Sequence, residues 1–159
     1  MKKNHFKREK IYQITAVLLM IDQVIKLLVD SNMELFQEIK IIPNFFSIHY
    51  VKNTGAAFSI LQNNTIILTI ISVIVVILLD GYIKKEEKSI DKRDAISLGI
   101  IMGGIFGNLI DRIIHHGVID YLSFTFFSYS FPVFNFADIC IVLGVGLLIA
   151  NMILKRKKK

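Results

Sequence analysis

At 159 residues the chain has the length of one domain, and 53% of it is hydrophobic, more than a soluble globular chain usually carries. Its formal charge is +6, yet the basic residues cluster: Lys2, Lys3, Lys7, Arg8 and Lys10 open the chain and Lys155-Arg156-Lys157-Lys158-Lys159 closes it. Beside long apolar runs such clusters mark flanks that meet anionic lipid headgroups rather than nucleic acid, and a single cysteine, Cys140, excludes an intrachain disulfide framework and a multi-cysteine metal site.

Four hydrophobic segments follow in order, at about 11–29, 65–83, 95–114 and 136–154. Each is close to the roughly 20 residues that cross a bilayer core. The pattern predicts an all-α integral membrane protein with four transmembrane helices, a single membrane-embedded domain over residues 1–159. The first segment has a basic flank like a secretory leader. Asp22 and Lys26 interrupt it and no small-residue cleavage site follows Val29, so it reads as a retained helix.

Loop charge sets the expected orientation. Lys84, Lys85, Lys88, Lys92 and Arg93 crowd the connection between segments two and three, whereas residues 113–135 carry no Lys or Arg. The stretch 30–64 carries only Lys40 and Lys52. The positive-inside rule then places both termini in the cytoplasm and the two long loops outside. In the first of these, Phe45 to Val51 is aromatic and β-branched, which predicts a strand. Asn53-Thr54-Gly55 supplies a turn, and 56–61 returns as a second strand or a short helix. A small extracytoplasmic β-rich loop domain between helices 1 and 2 is the expectation. The second outer loop is crowded with Tyr121, Phe124, Phe126, Phe127, Tyr129, Phe131 and Phe134, which suits the headgroup region or a lipid-facing surface.

Ionisable residues inside apolar segments are costly and therefore candidates for a site. Asp22 and Lys26 stand four apart on one helix face, as an ion pair that either orients this helix or takes part in the site. In the third segment Gly103 and Gly107 allow a close helix contact. Asn108, Asp111 and Arg112 follow on one face. Counting about 1.5 Å per residue, Arg112 lies roughly 27 Å from Asp94 and Asp138 about 26 Å from Lys155. Both fall near the outer boundary, so Asp120, Asp138, Asn108 and Arg112 can meet at one depth. Two carboxylates held close do not both ionise easily, and such a pair can act as base and acid together. Other nucleophiles fit poorly: Ser59 has no evident His partner and no GxSxG occurs. His115 and His116 are adjacent and would diverge on a helix, so no metal site and no cofactor are expected.

Five short blocks, in order, now carry a resemblance. They are Asp22-Gln23-x-x-Lys26, Asn53-x-Gly55-Ala56-Ala57-Phe58-Ser59, Gly103-Gly104-x-x-Gly107-Asn108-x-x-Asp111-Arg112, Val118-x-Asp120 and Phe134-Asn135-x-Ala137-Asp138. With them the chain resembles the lipoprotein signal peptidases, or signal peptidase II, across nearly its whole length. The resemblance implies a membrane aspartic endopeptidase of the bacterial cell membrane. Such an enzyme removes signal peptides from diacylglyceryl-modified prolipoproteins, cutting before the lipidated cysteine. It implies Asp120 and Asp138 as the catalytic pair, with Asn53, Gly55, Asn108, Arg112, Asn135 and Ala137 binding substrate or supporting the pair. Asp22 and Lys26 become a structural or supporting pair, and lipidated prolipoproteins and membrane lipids the partners of a functional monomer. Ile25, Ile105, Tyr121 and Cys140 depart from the usual pattern, and the chain has no Trp. None of these positions is a carboxylate or one of its amide and guanidinium neighbours. A small four-helix transporter using Asp22 and Lys26 is the rival reading; it would not gather its polar residues at one interface.

Overall fold

The computed structural model describes residues 2–55, 62–127 and 129–156. In chain order the elements are α1 (Lys2–Asn32), β1 (Glu38–Ile42), β2 (Phe46–Asn53), α2 (Thr65–Lys85), α3 (Lys92–His115), β3 (Val118–Phe126), β4 (Tyr129–Ser130) and α4 (Phe136–Arg156). All four hydrophobic segments are helical, and α1 alone runs beyond its apolar stretch by more than a turn; the others begin and end within three residues of theirs. Three of them, α2, α3 and α4, are each long and apolar enough to cross a membrane.

Helix α3 is the axis of the bundle, and glycine makes it so. A Cβ on Gly99, Gly103 or Gly107 would meet Ile14, Leu18 or Asp22 of α1 at 2.8, 2.9 and 2.4 Å. The four-residue steps on both helices keep one seam in register, a parallel ridge-and-groove contact that only side chains of hydrogen size permit. On its other side Gly104 faces the Ala137 carbonyl of α4, and Gly144 of α4 faces Ile101 and Ser97. Helix α2 is peripheral: of its residues only Leu68 and Ile83 are buried.

Burial runs opposite to that of a water-soluble bundle. Lys26, Asp22, Asp111 and Asn135 are among the most completely buried side chains, while Ile66, Leu78, Val142, Leu143 and Ile153 point outward. Apolar outer faces around a polar interior suit a bundle solvated by lipid. Two apolar clusters cover the polar layer from either end. Ile11, Ile83, Ala95, Leu98 and Met102 pack at one, and Val29, Tyr50, Ile119 and Tyr121 pack beneath the sheet at the other.

The expected β structure between α1 and α2 is present as β1 and β2, and the sheet extends beyond it. It has four antiparallel strands in the order β1-β2-β3-β4, so two of them come from the second long loop rather than from between the first two helices. The central pairing sets Val51 against Asp120 and Asn53 against Val118, with a bulge between Ile48 and Val51. Aromatic crowding in 113–135 is thereby a strand signal: Val118 to Tyr121 are buried against β2 and the bundle. Phe45, Phe124 and Phe126 pack edge-to-face or stacked on the other side. The segment 56–61, expected as a strand or helix, lies outside the described residues.

Candidate active site

The carboxylates of Asp120 and Asp138 are set by different elements. Helix α3 ends in a left-handed His116 (φ 56°), and Gly117 packs against Lys52 and Asn53 as the chain turns into β3. Three residues on, Asp120 is buried, and pairing with β2 brings Asn53 beside it: Asn53 Nδ2 donates to Asp120 Oδ2 at 2.9 Å. The amide of Asn53 is fixed in turn, because its Oδ1 accepts the Gly55 N–H at 2.9 Å. Its NH2 group therefore has to face Asp120.

Asp138 belongs to the first turn of α4, where every early N–H has an acceptor. Phe136 N donates to the Tyr121 hydroxyl at 3.2 Å, Ala137 N to Asp22 Oδ1 at 3.0 Å and Asp138 N to Asn135 Oδ1 at 3.0 Å. Asn135 N donates back to Asp138 Oδ2 at 3.2 Å, which closes a reciprocal capping box. A helix end normally leaves such donors unmet, so this one is pinned from β3, α1 and its own cap together. The residue that caps α4 is Asn135, with Asp138 as its reciprocal partner.

Asn135 and Asn108 join the two acids. Asn135 Nδ2 donates to Asp120 Oδ1 at 2.6 Å and to Asn108 Oδ1 at 3.1 Å, and Asn108 Nδ2 donates to Asp138 Oδ1 at 2.8 Å. Asp120, Asn135, Asn108 and Asp138 thus form one continuous polar chain. Arg112 donates to the Asn108 carbonyl at 3.4 Å, and its charge acts on both Asp138 and Asp120. Burial first, and then the charge of Asp138, pushes the Asp120 carboxyl up to about 7; hydrogen bonds from Asn53 and Asn135 oppose that rise. One carboxyl that keeps its proton near neutrality beside another carboxylate is an arrangement suited to paired acid and base work.

Beneath this chain Lys26 is held by Asp22 at 2.9 Å, Asp111 at 2.8 Å and Asn108 Oδ1 at 3.0 Å. Asp111 also accepts from Ile119 N at 3.0 Å and from Gln23 at 2.9 Å. The expected common face of Asn108, Asp111 and Arg112 is therefore split. Asn108 turns to the acids, Asp111 to α1 and β3, and Arg112 lies half-buried at the edge. Asp111, Gln23 and Tyr121 are the members that sequence reasoning left out of the site. The i, i+4 partner Asp22 already accounted for Lys26, so nothing in the sequence called for a third charge. From Arg112 a cavity of about 760 Å³ opens between α2 and α3, lined by Thr54 and His116 and walled by Ile66, Ile70 and Ile113.

Apolar helices closed around buried acids and amides, with a sheet folded over one end, have the build of an integral membrane enzyme. The family model for signal peptidase (SPase) II matches residues 14–154. A lipoprotein signal peptidase of Symbiobacterium thermophilum is 43% identical over 145 residues, covering 91% of this chain and 95% of that protein. A bacterial membrane enzyme solved by the in meso method at 2.3 Å superposes with a TM-score of 0.82 at 30% identity, over 92% of this chain and 89% of that one. A second, at 1.9 Å, gives 0.75 at 30% identity over 88% and 90%. The chain belongs to the signal peptidase II family, whose members are proteases of the bacterial membrane.

Proposed function

We propose that this protein is an aspartic endopeptidase in which Asp120 and Asp138 cut diacylglyceryl-modified prolipoproteins just before the lipidated cysteine. The observation that carries this reading is the continuous chain from Asp120 through Asn135 and Asn108 to Asp138. Asp120 is the member that holds the proton, since burial opposes its ionisation. Asp138 takes a proton from water as that water attacks the scissile carbonyl. Asp120 protonates the carbonyl oxygen; as the tetrahedral intermediate collapses, the proton on Asp138 passes to the leaving amine and a hydroxyl of the intermediate returns its proton to Asp120. Asn53, Gly55, Asn108, Asn135 and Ala137 hold the two acids in place. Arg112 lines the cavity and donates to the Asn108 carbonyl, its guanidinium available to a substrate carbonyl.

The same reading makes α1 a fourth span, places both termini in the cytoplasm and sets the sheet and the acids at the outer face. It takes residues 1–159 as one domain that works as a monomer. Isoleucine walls beneath a polar mouth suit a substrate that arrives sideways with acyl chains attached. A transporter built on Asp22 and Lys26 gains no support, because those charges are taken up by Asp111, Asn108 and the α4 cap.

Cleavage of a lipid-modified prolipoprotein by the protein in vesicles tests this. The expected product begins at the lipidated cysteine, and kcat falls as pH rises past about 7, because Asp120 then gives up the proton it must donate. Uncut substrate, or a cut elsewhere, would overturn the assignment.

A further inference from the structure

The ammonium of Lys26 has three N–H donors, and three oxygens take them: Asp22 Oδ2, Asp111 Oδ2 and Asn108 Oδ1. Two of these bonds are ion pairs. The third is aimed at the acids. An ammonium only donates, so the atom of Asn108 that faces it has to be the carbonyl oxygen, and the NH2 group must point the other way, at Asp138 Oδ1. The reversed amide would set NH2 against an ammonium and a carbonyl oxygen against a carboxylate, unfavourable at both ends. The same Asn108 oxygen accepts from Asn135, whose Nδ2 also reaches Asp120. One ammonium thereby fixes both amides that face the two acids.

The anchoring of the bundle does not require this third bond. Asp22 holds α4 through Ala137 N with Oδ1, the oxygen Lys26 leaves free, and Asp111 holds β3 through Ile119 N with the same Oδ2 that meets Lys26, neither through Asn108. A buried cation is costly, and an apolar side chain of similar length fills space at less expense when packing alone is at stake.

We propose that Lys26 is a positioning residue for the reaction: through Asn108 it locks the amide orientation that keeps Asp138 ready to act as the base. This rests on the reading of Asp120 and Asp138 as the catalytic pair. Other groups also bear on Asp138: Arg112 from α3, Asp120 and Tyr121 from β3, Asp22 from α1, Asp111 beyond Lys26, and the Asn135 N–H of its own cap. Arg112 reaches only the backbone carbonyl of Asn108, whereas Lys26 contacts the side-chain Oδ1 that sets the amide's orientation.

The test compares wild type, Lys26→Met and the double variant Lys26→Met/Asp111→Asn in vesicles. The double variant removes one charge of each sign and so leaves no extra unpaired acid. The expected result for both is a kcat about 100-fold lower, on the scale of losing one preorganised hydrogen-bond donor, with KM within about threefold. A double variant with unchanged kcat would overturn the proposal. So would one that fails to fold, because Lys26 would then be holding the bundle together. Asp138→Asn in the same assay keeps the two ideas apart: if that variant also stays active the pair reading falls, whereas an unchanged Lys26 variant alone leaves the pair standing.

Discussion

Asp138→Asn and Asp120→Asn should each lower kcat by at least about 1,000-fold while the protein stays folded in the membrane. Each change is close to isosteric, so the loss reads the chemistry rather than the shape. At 138 the amide keeps one acceptor oxygen for Asn108 or for Asn135 N, and the lost member of the capping box costs about 1 kcal/mol. At 120 one of the two donors, Asn53 or Asn135, loses its acceptor. That cost is partly offset, because an amide cannot ionise in a buried site.

The sign of the offset follows from the Asp120 carboxyl, which sits at about 7 in the fold against an ordinary 3.8. Stability from such a group is fully present below about pH 4 and is lost as pH rises through about 7. The wild-type protein therefore melts at a lower temperature at pH 8 than at pH 5 on account of this group. Asp120→Asn should flatten that difference while abolishing cleavage. Thermal unfolding in detergent at the two pH values, beside a cleavage assay, measures both. An Asp120→Asn protein that still cuts at the normal rate would remove this residue from the chemistry.

Gly104→Ala should damage both stability and activity, although it lies away from both acids in the chain. A Cβ there would stand 2.4 Å from the Ala137 carbonyl oxygen, 2.8 Å from Ile141 Cγ1 and 3.1 Å from Cys140 Cβ. The nearest atom is backbone and cannot swing aside, so α3 and α4 must separate. Overpacking of this kind costs about 1–3 kcal/mol or more. The displaced turn is the one that holds Asn135, Ala137 and Asp138, so kcat should fall with the melting temperature. Gly146→Ala is the control. Nothing lies within 4 Å of a Cβ at that position, and the change should be neutral or stabilise the helix by up to about 1 kcal/mol. Equal behaviour of the two variants would mean that α3 and α4 do not meet at Gly104.

The helices were legible because apolar length is a local property, written into 65–83 or 136–154 without reference to anything else. Their ends were less so. Helix α1 reaches back to Lys2, since Lys and Arg are good helix formers and nothing in 2–10 breaks the turn. Strand β1 escaped notice because its alternation, Glu38-Ile39-Lys40-Ile41, spans only four residues, and all five residues of the strand are exposed, so no buried face backs it. In β3 the dense aromatics pointed to an interface, and their pairing with β2 is a contact over some seventy residues that only the fold supplies.

The site divides along the same line. Depth counting brought Asp138, Asn108, Arg112 and Asp120 toward one level, and a helix rise is enough for that. Which amide faces which acid depended on Gly55, Lys26 and the α4 cap, partners distant in sequence. Asp111 was hidden for the same reason. A lysine with a partner one helical turn away looks satisfied, and only packing of α1 on α3 brings the second carboxylate to it.

Cleavage of two matched peptides, one carrying a diacylglyceryl group on its cysteine and one with the bare thiol, tests the central claim most directly. The proposed peptidase should cut the lipidated peptide and leave the bare one essentially intact, the isoleucine-walled cavity beside Arg112 being suited to acyl chains. Cleavage of both at the same rate would contradict the account.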